Sequence, residues 1–133
     1  MKLANIRYNP KTCAIVIPYY NENNQLIGIR ERTLIKEEEE FGKYKPAILN
    51  YKQYSHPLSF NLYGLNWAKK QISKIKKAVV FESEKSVLLS ETYYPGFSTA
   101  VATCGSQLNR FQINLLVKKL GVNEIILCYD KEY

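Results

Sequence analysis

The chain has 133 residues and a mass of 15.5 kDa, about the size of one ordinary domain. Hydrophobic residues make up 46% of it, so it can bury a core without disulfides or a structural metal. Its formal charge of +7 favours polyanionic partners such as nucleic acid. No apolar run approaches the length of a membrane span, and we expect a cytoplasmic protein rather than a membrane or secreted one.

The first half of the chain is predicted to form strands and turns. Strand-forming runs at 14–20 and 25–34 flank a polar turn at 21–24, which is the pattern of a β-hairpin. The acidic run at 36–40 predicts a solvent-exposed turn or short helix. Residues 42–57 contain two prolines and little periodicity, so we predict an irregular segment there.

The pattern then changes to alternating helices and strands. Apolar residues at three- and four-residue spacing predict an amphipathic helix over 62–75, with lysines on its outer face. Short apolar runs predict strands at 78–81, 99–102 and 124–129. Helical patterns lie between them, at 84–91 and at 109–120, and the second places Phe111 and Ile113 on its apolar face. This β-α-β-α-β order predicts a parallel sheet covered by helices.

The predicted fold class is therefore α/β, with two parts. Residues 1–76 form an α+β subdomain made of the hairpin, the irregular segment and the basic helix. Residues 77–133 form a parallel β-α-β-α-β unit that is incomplete at its C-terminal end. Because so few residues follow the last strand, we expect the sequence to be a truncated piece of a longer chain.

Acidic residues follow two of the predicted parallel strands. Glu82 comes after the strand at 78–81, and Asp130 and Glu132 come after the strand at 124–129. Ligands of parallel sheets gather at the carboxyl ends of the strands, where converging carboxylates repel each other unless a cation screens them. Hard oxygen ligands suit Mg²⁺ or Mn²⁺, so the three acids are candidate metal ligands.

Other polar residues near these strand ends have plainer explanations. A small turn that includes Gly105 and Ser106 follows the strand at 99–102 and would border the same site. Glu84 could simply favour the N-terminus of the helix that follows it. No zinc is expected, because His56 is the only histidine and the three cysteines show no metal-binding spacing.

Several segments, taken together, resemble the RNA-polymerase core of bacterial DnaG-type DNA primases, including its Toprim domain. Leu62-Tyr63-Gly64-Leu65 matches the family's L-Y-G-L, and Glu82 stands at the acid of its V-V-E-G. Each segment is weak alone, but their shared order and spacing make the resemblance specific. The resembling segments lie at 15–19, 23–28, 32–34, 43–44, 62–65, 79–84, 100–105 and 124–132.

The resemblance implies a DNA-directed RNA polymerase that synthesises short RNA primers. It would use single-stranded DNA as template and ribonucleotides as substrates. Mg²⁺ or Mn²⁺ at the Toprim carboxylates would bind nucleotide phosphates, with Asp130 and Glu132 as metal ligands and Glu82 as both ligand and catalytic acid residue. A replicative helicase would be a further partner, through a region outside this sequence, and no membrane would be involved.

The resemblance also assigns basic residues to template and nucleotide contacts. These are Arg30 and Arg32 on one strand, and Lys43 after the acidic run; a solvated strand face and a loop lysine are the alternatives. The chain departs from the family pattern at Ser86, which replaces a second acid, and at Glu132, which replaces an aspartate. Such departures are similar to those of a divergent phage or mobile-element branch.

Two alternatives to an active primase core stay open. The chain could be a non-catalytic nucleic-acid-binding module with a degenerate Toprim site, and in either case we expect the 133-residue piece to be inactive alone. Another Toprim enzyme, such as a nuclease or a topoisomerase-like cleavage domain, is less favoured, because a topoisomerase needs a catalytic tyrosine on a separate domain.

Overall fold

The computed structural model describes residues 4–130, which fall into two compact units. The first unit holds the residues up to 20 together with 25–56, and the second holds 21–24 together with the residues from 57 onward. This grouping differs from the predicted division at 76/77, because the helix over Leu65–Ile75 lies in the second unit.

The first unit is built on an antiparallel sheet in which neighbouring strands follow each other in sequence. The pairing of β2 with β3 confirms the predicted hairpin, and a short 3₁₀ helix at Lys36–Phe41 confirms the exposed element predicted there. The four strands are β1 (Arg7–Asn9), β2 (Ala14–Tyr20), β3 (Leu26–Thr33) and β4 (Tyr44–Pro46).

The segment at 42–57 is more regular than predicted. It contains β4 and a small hairpin of β5 (Ile48–Leu49) and β6 (Lys52–Gln53). The irregular prediction was wrong here because strands of two or three residues are too short to show a period. Pro46 ends β4, at the edge of the sheet, where a proline without an N–H is tolerated.

The second unit confirms the predicted parallel sheet. Its strands lie in the order β8-β7-β9, and β7 pairs in parallel with both neighbours. This is the arrangement expected when helices connect successive strands. The elements are α1 (Leu65–Ile75), β7 (Lys77–Phe81), α2 (Glu84–Tyr93), β8 (Ala100–Ala102), α3 (Arg110–Asn114) and β9 (Glu124–Cys128).

Helix α1 begins three residues later than its apolar pattern predicts. Tyr63 instead forms a β-bridge with Ala102, through two backbone hydrogen bonds of 2.8 and 3.0 Å. Gly64 then turns the chain into the helix at φ 88°, a conformation that favours glycine. From there on, Leu65, Ala68 and Ile72 of the predicted apolar face are buried, and the lysines lie outside that face. Ile75, at the end of the helix, was predicted to share the face but is exposed.

The predicted helix at 109–120 is divided and partly rotated. Only α3 is α-helical, and a π-helical turn follows at Leu115–Lys119. Asn109 caps α3 in a capping box with Gln112. The side chain of Gln112 is buried, and its amide donates a hydrogen bond to the backbone oxygen of Asn61 at 2.9 Å. Phe111 and Ile113 are therefore exposed, contrary to the predicted apolar face.

The core of the second unit lies between the parallel sheet and its helices. It includes Ala78 and Val80 of β7 and Leu65, Ala68 and Ile72 of α1. Because β7 pairs in parallel with β8 on one side and β9 on the other, the carboxyl ends of three strands meet at one edge. Within residues 4–130, no helix is long and apolar enough to cross a membrane.

The turn at 21–24 is held to the helices of the second unit by two lysines. Lys119 donates to the Glu22 carboxylate at 2.7 Å, and Lys69 donates to the Glu22 backbone oxygen at 2.6 Å. The hydrogen bond from Lys119 lowers the pKa of Glu22 below its usual value of 4.5.

Candidate functional site

The register of the parallel sheet brings one predicted acid to the end of each of two neighbouring strands. Phe81 at the end of β7 lies beside Cys128 of β9, so Glu82 and Tyr129 leave the sheet at the same level. Asp130 follows one residue later. Glu82 is half-buried and Asp130 is exposed, while Glu132 lies outside the described residues.

A pair of hydroxyl groups joins the loops at this edge. The Thr103 hydroxyl donates to the backbone oxygen of Gly105 at 2.8 Å and accepts a hydrogen bond from the Tyr129 hydroxyl at 3.1 Å. The turn with Gly105 and Ser106 is thereby tied to β9, and both turn residues are exposed. The sequence pattern did not single out Thr103 or Tyr129, because the contact depends on the strand order.

The other polar residues after β7 belong to helix α2. Glu84 is buried in the first turn of α2, where a negative charge interacts favourably with the helix dipole. Ser86, at the position of the family's second acid, lies with its hydroxyl 3.4 Å from that of Ser83. Neither residue adds a carboxylate to the open edge of the sheet.

The chemistry of the edge fits a hard divalent cation, though with few protein ligands. Within residues 4–130, no group of three His, Cys, Asp or Glu side chains could hold a metal ion. The candidate ligands are Glu82 and Asp130, which follow neighbouring strands of the sheet. Mg²⁺ is commonly bound by one or two carboxylates together with waters and substrate phosphates. Two carboxylates are therefore a suitable type of ligand for Mg²⁺ at this edge.

The three predicted basic contacts do not lie together. In the first sheet, Arg30 and Arg32 lie opposite Pro46 and Tyr44 of β4, and alternate residues of a strand share a face. Lys43 comes one residue before Tyr44 and lies on the opposite face. The structure therefore separates Lys43 from the two arginines.

Both arginines are engaged by neighbouring groups. The Arg30 guanidinium lies 5.4 Å from the centre of the Tyr44 ring and donates to the Tyr44 backbone oxygen at 3.2 Å. Arg32 donates to the Glu39 carboxylate at 3.2 Å and to the backbone oxygen of Thr33. Their charges lie at the sheet surface, but each has partners within the unit.

Lys43 lies in a cleft of about 150 Å³ on the other face of the sheet. A second lysine, Lys45, lies beside it and was not anticipated from the sequence. The acids of the cleft are already bonded, since Glu31 accepts hydrogen bonds from Asn9 and Thr12 at 3.0 and 3.2 Å. The cleft is lined by Thr12, Ala14, Glu31, Thr33, Glu38, Gly42, Lys43 and Lys45.

Comparison with known proteins shows that this chain is similar to a prophage protein and to DNA primases. YorJ, a protein derived from the SPbeta prophage of Bacillus subtilis, is 42% identical over 93% of this chain and 33% of its own length. Other curated matches over most of the chain are DNA primases. No family model matches. The chain spans about a third or less of the length of the curated relatives it matches.

Solved structures show the same fold. The RNA polymerase domain of Mycobacterium tuberculosis primase DnaG superposes with a TM-score of 0.69 at 22% identity, covering 96% of this chain and 43% of that one. A DnaG primase catalytic domain bound to single-stranded DNA gives a TM-score of 0.67 at 24% identity, covering 96% and 38%. The chain thus has the fold of a DnaG-type primase catalytic core, and the resemblance found in the sequence is confirmed.

Proposed function

We propose that this chain is part of a primase-type nucleotidyltransferase that makes short RNA primers on single-stranded DNA. The observation that carries the proposal is the placement of Glu82 and Asp130 at the ends of neighbouring parallel strands, on a DnaG-type core. The primase catalytic domain of the same fold that was solved with single-stranded DNA supports the choice of template. The prophage-derived relative YorJ supports a divergent, mobile-element branch.

In the proposed reaction, a primer 3′-hydroxyl attacks the α-phosphorus of a ribonucleotide, pyrophosphate leaves, and the hydroxyl proton is lost to solvent. Glu82 and Asp130, with Glu132 as a third proposed ligand, would hold Mg²⁺ or Mn²⁺ at this Toprim-type edge. When bound there, such an ion supplies activation of the hydroxyl and neutralises charge on the leaving pyrophosphate. The Thr103–Tyr129 hydrogen bond would hold the ends of β8 and β9 together on either side of β7.

The basic residues of the first unit would bind phosphates of the template and of the incoming nucleotide. Arg30 and Arg32 on one face and Lys43 on the other would make contacts that do not depend on base identity. Lys45 joins this proposed set because it lines the same cleft as Lys43. Such contacts hold the substrates in register without selecting a sequence.

Primer synthesis by the complete natural protein on a single-stranded template, with ribonucleotides and Mg²⁺, tests this function. We expect labelled RNA products that disappear when EDTA removes the metal and return when Mg²⁺ or Mn²⁺ is added. DNA binding, measured in parallel, should survive EDTA and weaken with salt. Persistent failure to synthesise primers, with intact DNA binding, would contradict the enzyme assignment.

Failure to synthesise primers, with intact DNA binding, would favour the alternative of a non-catalytic nucleic-acid-binding module. One observation gives this second candidate weight: within residues 4–130, no group of three His, Cys, Asp or Glu side chains could hold a metal ion. In addition, Ser86 stands at the position of the family's second acid. The two candidates differ in their need for metal, since phosphate contacts by Arg and Lys depend on salt concentration and not on Mg²⁺ at a carboxylate site.

A further inference from the structure

The short acidic helix at Lys36–Phe41 contacts the strand that carries the predicted nucleic-acid ligands. Four consecutive glutamates occupy this helix, and two of them turn toward β3. Glu39 forms an ion pair with Arg32 at 3.2 Å. Glu38 lies 3.4 Å from the Thr33 hydroxyl and lines the cleft of Lys43 and Lys45.

These two contacts lie on opposite faces of the same sheet. Arg32 and Thr33 are consecutive in β3, so their side chains point to opposite sides. Glu39 therefore contacts the face that carries Arg32. Glu38 lines the cleft on the other face, which contains Lys43 and Lys45. This placement depends on the helix following β3 directly, with Ile35 donating its backbone N–H to the Thr33 hydroxyl at 3.1 Å.

The ion pair between Arg32 and Glu39 is partly buried. The side chain of Arg32 is 26% exposed and that of Glu39 is 31% exposed. Glu39 engages Nη1 of the guanidinium, so an incoming phosphate would compete with it for that nitrogen and would be repelled by its negative charge. Glu37 and Glu40, in contrast, are exposed.

We propose that Glu39 masks Arg32 and that the acidic helix thereby restrains nucleic-acid binding by this chain. The inference rests on the proposed nucleic-acid function and names its regulation. Glu39 acts through Arg32 and need not touch the nucleic acid. While Glu39 engages Arg32, the phosphate contact proposed for this guanidinium is suppressed, and removal of the Glu39 charge allows Arg32 to make that contact.

The test compares two substitutions that change the net charge equally. Glu39→Gln removes the masking carboxylate, and Glu37→Gln removes an exposed acid of the same helix. Fluorescence anisotropy of the 133-residue chain with labelled single-stranded DNA, over a series of salt concentrations, gives affinity and salt slope. We expect Glu39→Gln to bind roughly two- to fivefold tighter at low salt, with a slope steeper by about 0.7.

A substitution of Arg32 tests whether the tighter DNA binding of Glu39→Gln comes from release of the Arg32 guanidinium. In an Arg32→Gln background, Glu39→Gln should change the affinity no more than Glu37→Gln does, and thermal unfolding should show that each variant is folded. Equal effects of the two glutamate substitutions, or weaker binding by Glu39→Gln, would overturn the masking proposal while leaving DNA binding in place. Absence of DNA binding by every folded variant would overturn the nucleic-acid function as well.

Discussion

Replacing Glu82 with glutamine is expected to lower primer synthesis by the complete natural protein by about 10²–10⁴-fold. Glutamine keeps the size of the side chain but removes the charge that would hold a divalent cation at the end of β7. Because Glu82 is only half-buried, the fold should tolerate the exchange. Affinity for single-stranded DNA should be unchanged, since that is assigned to the first unit.

The matched control is Glu124→Gln, at the other end of the same sheet. Glu124 begins β9 and forms an exposed ion pair with Lys77 at 3.5 Å, so its loss should cost at most about 1 kcal/mol of stability. Synthesis rates for both variants, with circular dichroism and DNA binding, complete the comparison. Primer synthesis by Glu82→Gln at the rate of the control would remove Glu82 from the catalytic site.

Replacing Gly28 with alanine is expected to destabilise the chain by about 2–3 kcal/mol. Gly28 lies in β3 opposite Tyr19 of β2, and the ring of His56 covers it. A Cβ atom on Gly28 would lie 2.0 Å from His56 Nδ1, which no real contact permits. The ring cannot move freely, because it also packs on the buried Tyr19 with ring centres 4.7 Å apart.

Urea unfolding of Gly28→Ala and of Gly105→Ala measures this effect against a matched control. A Cβ on Gly105 would meet nothing within 4 Å, so its alanine variant should stay within about 0.5 kcal/mol of the original chain. Adding His56→Ala to Gly28→Ala removes the overlapping ring, and the double variant should lose less than the sum of the single changes. Additive losses would show that His56 is not the cause.

The parts of the fold that the sequence predicts well are those with long, clear periods. Helix α1 shows three- and four-residue spacing over several turns, and the β2–β3 hairpin shows two runs around a polar turn. The order of strands and helices in the second unit also predicts a parallel sheet. That topology is what places Glu82 and Asp130 at one edge.

The wrong predictions come from interactions that the periodic spacing of apolar residues does not show. Phe111 and Ile113 were predicted to face the core, but the capping box and the buried amide of Gln112 set the rotation of α3. The roles of Lys43 and Arg32 stay predictions, but their separation on two faces, which depends on how β3 pairs with β4, could not be foreseen from the sequence. Pairing register and side-chain caps join distant residues, so they appear only in the folded chain.

The apolar run of β9 is a further case. Five residues with three large apolar side chains are typical of a buried strand, yet β9 lies at the edge of the sheet formed within residues 4–130. Ile126 and Leu127 are 42% and 56% exposed. The apolar run indicates that the strand favours burial. Its position in the strand order determines how much of its side chains is buried.

The most direct test of the central claim is anomalous diffraction from crystals of the chain soaked in Mn²⁺. The account predicts a peak within about 2.0–2.4 Å of a carboxylate oxygen of Glu82 or Asp130, lost on soaking with EDTA. A map without a peak at that edge of the sheet, from crystals saturated with Mn²⁺, would contradict a metal site at the ends of β7 and β9.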